Sequence, residues 1–198
     1  MRHHSFWGPG KQFVAIYVSA GERVNWVGNT LSGDEWQEES WSARGDRDEL
    51  LELYAGWYPE VRALIAGTEH VFKWALFDRS PLVRWTRGRV TLLGDAAHPM
   101  LPYMAQGAGQ SIEDAYVLAR CLSEARENPV AALHRYSDQR RERTAAVQEA
   151  SRQAAYLVQL SDPAEVAARN RRLAENPEAP IARFDWIWNY DVERALTE

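Results

Sequence analysis

A mixed α/β fold in two parts, divided near Arg84, is what this sequence predicts, and three observations predict it. Residues 1–83 alternate short β-forming runs with turns and brief helical patterns. Residues 88–122 then run a strand, an acid, a proline-punctuated loop and a glycine-opened helix in immediate succession. A long helical period follows Pro129. The two parts are accordingly residues 1–83 and residues 84–198.

Each element has its own warrant. Residues 12–18 and 23–28 read as paired strands around Ser19-Ala20-Gly21-Glu22, with Gly21 supplying the positive φ of the turn. Asp46 is placed to cap a helix over 47–54, Pro59 opens another through Ala66, and Gly67 ends it. Residues 70–77 read as a returning strand.

In the second part, Arg89-Val-Thr-Leu-Leu93 is an apolar run too short for a helix, and Gly94 ends it. Asp95 thus stands at a strand's carboxyl end, where ligands bind in open α/β sheets. From Pro99 to Gln110 small residues, proline and glycine prevail, a composition that lets backbone approach something flat. Gly107-Ala108-Gly109 leads into a helix. Ser111-x-x-Asp114 fits a capping box, and Ile112, Ala115, Tyr116, Ala119 and Leu122 share the face expected to be buried. Its first-turn N–H groups and the positive dipole end would favour an electron-rich or anionic guest. The plainer reading makes Asp95 a turn cap and Glu113 and Asp114 ordinary first-turn acids.

The helical period from Pro129 runs to about Leu160. Its Arg135, Arg140, Arg141 and Arg143 read as a solvated face laced with i, i+4 pairs, and Glu142 supports that. Asp162-Pro163 stops or restarts the helix, Asn176-Pro-Glu-Ala-Pro180 is a turn-rich linker, and the aromatics of 184–190 are expected to pin the tail to the body. Trp36, Trp41, Trp57, Trp186 and Trp188 read as core.

Composition narrows the functional classes. The 198 residues are 45% hydrophobic and 26% charged, enough for one sizeable core or two small ones. A net charge of -5 disfavours a nucleic-acid partner. No apolar run reaches membrane-spanning length, the first residues lack the apolar centre of a signal peptide, and one cysteine excludes an internal disulfide. A cytoplasmic protein is expected. Cys121, one position off the apolar stripe, reads as inert. Asp95-x-x-His98 with His70 raises a metal-dependent hydrolase as an alternative, but the pair is a weak signal and no metal is assigned; His98 is better read as bonding the loop backbone.

The string Gly94-Asp95-Ala96-Ala97-His98-Pro99, followed by Pro102, Gly107 to Gly109 and Glu113-Asp114-Ala115, resembles the second flavin motif of the FAD-dependent aromatic hydroxylases. These include salicylate hydroxylase and p-hydroxybenzoate hydroxylase. Trp7-Gly-Pro-Gly10, Val24-Asn-Trp26, Ser40-Trp41, Trp57-Tyr-Pro59, Trp74, Asp78-Arg79-x-Pro81-Leu82 and the helix from Tyr136 to Arg143 extend the likeness toward the salicylate-hydroxylase branch.

The resemblance implies a substrate-binding sheet with helices, followed by the C-terminal strand and helix of a p-hydroxybenzoate-hydroxylase-like FAD/NAD(P)-binding fold. It implies FAD as cofactor and NADH or NADPH as reductant. Asp95 would hydrogen-bond the ribityl chain, backbone at Pro102 would lie beside the flavin ring, and the N–H groups of Gly107, Ala108 and Gly109 would face the pyrimidine edge. Tyr103 would line a small aromatic substrate. No side chain is implied as a proton-transfer catalyst. The family's G-x-G-x-x-G turn is not found here, and Gly107-Ala-Gly109-Gln-Ser-Ile112 does not fit it, having Ile112 at the third position. The chain therefore reads as the C-terminal half of such an enzyme, completed by a separate N-terminal half or a homodimer mate, or else as a non-catalytic remnant serving binding or assembly.

Overall fold

The computed structural model describes residues 3–31, 40, 42–178 and 182–195. Trp36, Trp41 and Pro180 lie outside them. The chain divides into two compact units, Met1–Leu76 with Val158–Asp162, and Phe77–Leu157 with Pro163–Glu198.

The first unit is built on a three-stranded antiparallel sheet, β1 (His3–Gly8), β2 (Lys11–Val18) and β3 (Arg23–Thr30), in the order β1-β2-β3. Phe13 pairs with Phe6 on one side and Gly28 on the other. Gly28 is small for a reason: a Cβ there would stand 2.8 Å from the Tyr54 hydroxyl. That hydroxyl is buried and donates to the Gln12 carbonyl at 3.0 Å. The β2–β3 turn holds Ser19 (φ 50), Ala20 (φ 57) and Gly21 (φ 96) all left-handed, so Gly21 shares with two other residues the conformation expected of it alone.

Two helices cover the sheet. In α1 (Arg47–Leu53), Asp46 accepts the N–H groups of Asp48 at 2.7 Å and Glu49 at 3.0 Å, the cap that the residue types predict. Pro59 opens α2 (Pro59–Ala66) and Gly67 closes it. Tyr54, Val61 and Ile65 join Phe13 in the core, where Phe13 stacks on Trp26 at 5.2 Å and Trp57 meets Tyr54 edge-on at 4.7 Å. Each such buried side chain contributes about 1.5–3 kcal/mol.

The strand expected over 70–77 does not form. Only Phe72 bridges, to Arg44, flanked by Gly45 N–H to Val71 O and Lys73 N–H to Ala43 O, both at 3.0 Å. A strand persists only where a ladder partner does, and here the partner is residues 43–45. Phe72, Trp74, Leu76 and Phe77 are exposed.

The second unit is helical around a small hairpin, β4 (Thr86–Arg87) and β5 (Val90–Thr91), turned at Gly88. The run over 89–93 is thus a short antiparallel strand in place of a buried sheet strand, because β4 is its ladder partner; Val90 is exposed. Then come α3 (Gly107–Glu124), α4 (Pro129–Val158), α5 (Pro163–Glu175), α6 (Asp185–Trp188) and α7 (Val192–Ala195). One core gathers Trp85, Ala97, Val117, Cys121, Ala132 and Tyr136; another gathers Met104, Val147, Ala150 and Ile187.

In the tail the buried anchor is Ile187, with Phe184 packed against the same core, whereas Trp186 and Trp188, expected to be core, are exposed. In a single helical turn, successive side chains point about 100° apart, so turning Ile187 inward turns its neighbours out. Cys121 is central to its core, not peripheral to it, and burial pushes its thiol pKa up. Among the described residues no helix is long and apolar enough to cross a membrane.

Candidate functional site

Two short 3-10 turns and the start of α3 carry the predicted site residues. Gly94 has φ 60, and a Cβ on it would come 2.7 Å from Ser111 Oγ, so this position is closed to other residues without rearrangement. The turn Gly94–Ala96 follows, closed by the N–H groups of Ala97 at 2.8 Å and His98 at 2.9 Å on the Gly94 carbonyl. It leaves Asp95 exposed at its crest. The second turn, Pro102–Met104, exposes Pro102, half-buries Tyr103 and buries Met104. Ala105 then takes the left-handed conformation (φ 52, ψ 34) to bring the chain into α3. A non-glycine residue there stores about 1–2 kcal/mol.

The mouth of α3 is bare of side-chain caps. Gln106, at the cap position, has helical dihedrals and makes no capping bond, and no acid stands in the first turn. The amides of Gly107, Ala108 and Gly109 open the helix, with Ala108 and Gly109 exposed. Asp95 Oδ1 lies 3.8 Å from where a Gly107 Cβ would be. The structure therefore brings Asp95 and the glycine-opened helix mouth together, with Pro102 and Tyr103 on the turn immediately before it.

The capping box is corrected. The helix begins at Gly107, so Ser111 lies inside it and donates to the Gly107 carbonyl at 3.0 Å. Asp114 is fully buried, and so are Gln110, Val117 and Cys121. The face bearing Ile112, Ala115, Tyr116, Ala119 and Leu122 is the exposed one. The inversion has an electrostatic cause, a buried ion network that claims the polar face.

Asp114 accepts three hydrogen bonds: from Gly94 N–H at 3.0 Å, His98 Nε2 at 2.6 Å and Arg140 Nε at 2.7 Å. Arg140, only 1% exposed, also donates to Glu113 at 2.6 Å and to the Gln110 side chain at 2.8 Å. Arg143 grips Glu113 through two 2.8 Å bonds and stacks at 3.5 Å over Tyr190. Burial alone would raise the carboxyl pKa of Asp114, but the bonds from His98, Arg140 and Gly94 outweigh it and hold it below the usual value. Glu113 is likewise held low against burial, by Arg143 and Arg140.

Two further expectations change here. His98 bonds Asp114 through Nε2, not the loop backbone, and among the described residues its Nδ1 has no hydrogen-bond partner. Arg140 and Arg143 belong to the buried network, not to a solvated face, because Glu113 and Asp114 of α3 neutralise them more fully than water-exposed neighbours on α4 could. A signal for this was present. Tyr136, Arg140, Thr144 and Val147 fall at helical spacing on one buried stripe, with a charge in its middle. Among the described residues no group of three His, Cys, Asp or Glu side chains is gathered for a metal.

A family model described as FAD binding domain matches residues 60–151. A 3-amino-4-hydroxybenzoate 2-monooxygenase of Streptomyces platensis is 38% identical over 192 residues, which is 96% of this chain and 47% of that protein. A salicylate hydroxylase of Pseudomonas putida is 41% identical over 161 residues, 80% of this chain and 36% of the other. Among solved structures, a salicylate hydroxylase substrate complex matches with a TM-score of 0.82 at 32% identity, over 98% of this chain and 48% of that one. Klebsiella pneumoniae HpxO complexed with FAD and uric acid matches with a TM-score of 0.73 at 30% identity, over 91% of this chain and 46% of that one. The chain spans about half the length of these relatives or less.

Proposed function

Because the chain belongs to the family of FAD-dependent aromatic hydroxylases, we propose that Asp95 and the mouth of α3 form the flavin-ring side of a monooxygenase site. The observation that carries this is the exposed Asp95 carboxylate beside an uncapped helix start. Asp95 would accept from a ribityl hydroxyl. The amides of Gly107, Ala108 and Gly109, with the positive dipole end, would face the electron-rich pyrimidine edge and stabilise negative charge there without giving up a proton. Pro102 would set backbone against the ring, and Tyr103 would line a small aromatic substrate.

Bound FAD, reduced by NADH or NADPH, would supply the oxygen-activating chemistry by which one atom of O2 enters an aromatic ring. The chain's own part is orientation and exclusion of water. In this reading residues 1–83 serve the substrate side and residues 84–198 the flavin side of a cytoplasmic enzyme. It is completed by a dinucleotide-binding half or by a homodimer mate.

A visible absorption titration of the chain with FAD, repeated for Asp95→Ala, tests the proposal. Weak binding is expected for the chain alone. Losing a bond to a charged acceptor removes about 1.5–3 kcal/mol, so affinity should fall roughly 10- to 150-fold. Tight binding indifferent to the substitution would refute the role of Asp95.

A further inference from the structure

Residues 78–83 form no helix or strand, yet they are held along their length by side chains of α4. Arg152 grips the Asp78 carboxylate through two bonds, at 2.6 and 3.2 Å, and donates to the Arg79 carbonyl at 2.8 Å. Gln148 reaches the same carbonyl at 3.4 Å, and Arg141 donates to the carbonyl of Val83. These three side chains stand at i, i+7 and i+11, within about 40° of one another at 100° per residue. One face of α4 thus carries the whole strap. A lone exposed ion pair is weak, but a forked guanidinium–carboxylate pair backed by a carbonyl fixes geometry.

What the strap fixes is Arg79. Its guanidinium donates to the carbonyl of Ala96, the residue after Asp95. Both bonds that close the Gly94–Ala96 turn end on the Gly94 carbonyl, so the Ala96 carbonyl depends on a donor from outside the turn or on water. Gln148, only 1% exposed, ties the next stretch by donating to the Pro99 carbonyl at 2.8 Å. Asp95 therefore has an anchor on each side, Gly94 N–H on Asp114 and the Ala96 carbonyl on Arg79. Arg79 bonds backbone and not the Asp95 carboxylate, which stays exposed as an acceptor. We propose that Arg79 is the positioning residue for Asp95, strapped to α4 through Asp78 and Arg152 so that the carboxylate is already aimed when a ribityl hydroxyl arrives. The proposal deepens the flavin reading above and rests on it. Ordering a loose turn on binding costs conformational entropy, and an anchored turn is spared most of it.

The test uses the whole chain and three variants. Arg79→Met removes the donor and keeps an unbranched stem, Arg79→Lys restores a donor, and Arg84→Met is a control that removes an exposed arginine nearby in the chain. Without FAD, hydrogen exchange at the amides of Ala97 and His98, which close the turn, is read by mass spectrometry. Losing one hydrogen bond should speed it about threefold to tenfold in Arg79→Met and less in Arg79→Lys, while Arg84→Met exchanges like wild type. The urea midpoint should stay within the small range of surface substitutions. Unchanged exchange in Arg79→Met, or a midpoint lowered enough to speed exchange throughout the chain, would overturn the proposal. FAD affinity is then followed by visible absorption in a double-mutant cycle with Asp95→Ala. Arg79→Met should weaken binding about threefold to tenfold when Asp95 is present and have no effect once it is alanine. An equal loss in both backgrounds would make Arg79 act on FAD independently of Asp95 and overturn the positioning role. FAD taken up by none of the proteins would refute the flavin reading and leave the exchange result to decide the anchor by itself.

Discussion

Replacing Asp114 by Asn should be the most damaging conservative change in the second unit. The substitution preserves shape and removes a charge that is fully buried and that faces Arg140 Nε at 2.7 Å, with Arg140 itself 1% exposed. Removing one partner of a buried pair costs about 3–5 kcal/mol, and Glu113, 2.6 Å from Arg140, remains to offset part of it, so about 3 kcal/mol is expected. The pH dependence carries the sign. The folded pKa of Asp114 lies below the unfolded value of about 3.9, so its contribution is complete above that pH and fades as pH falls through the folded value. Urea denaturation followed by far-UV circular dichroism, which reports α3 and α4, should show the full difference from wild type at neutral pH. The gap should close below about pH 4. A difference under about 1 kcal/mol at pH 7, or a gap constant through the acid range, would refute the claim that this network holds the Gly94 turn.

Other outcomes follow from single positions. Gly94→Ala forces both a left-handed alanine and a 2.7 Å approach to Ser111 Oγ, and should cost about 1–3 kcal/mol of stability by urea denaturation. Ala105→Gly relieves the left-handed strain at φ 52 while loosening the unfolded chain, so stability should shift by less than about 1 kcal/mol, whereas Ala105→Val should lower it clearly. Cys121, buried with its thiol pKa raised by that burial, should resist a thiol-modifying reagent in the native protein and react at once in urea.

Local chemistry was legible in the sequence, and distant chemistry was not. The β2–β3 hairpin, the Asp46 cap, the Pro59 and Gly67 boundaries and the start of α4 each depend on residues within a few positions, and each stands where those residues place it. Asp95 beside Gly107 was likewise readable from the motif string. The inverted α3 was not, because the partner that draws Asp114 inward is Arg140, 26 residues on and on another helix. Periodicity alone favours burying Ile112, and a buried guanidinium with paired acids overrules it. The segment 70–77 misled for a similar reason: its residues suit a strand, and strand formation waits on a partner elsewhere.

Val158–Asp162, which starts at the last residue of α4, belongs with residues far upstream, and the Gln159 carbonyl accepts the Gly10 N–H at 3.0 Å. During biosynthesis the sheet leaves the ribosome long before this piece does. At roughly 5–20 residues per second, several seconds of translation separate them. Nascent β1–β3 must therefore wait for α3 and α4 to be made before its own closing segment arrives. A fragment ending at Leu76 would carry the strands and lack the last hydrogen-bond acceptor that Gly10 uses.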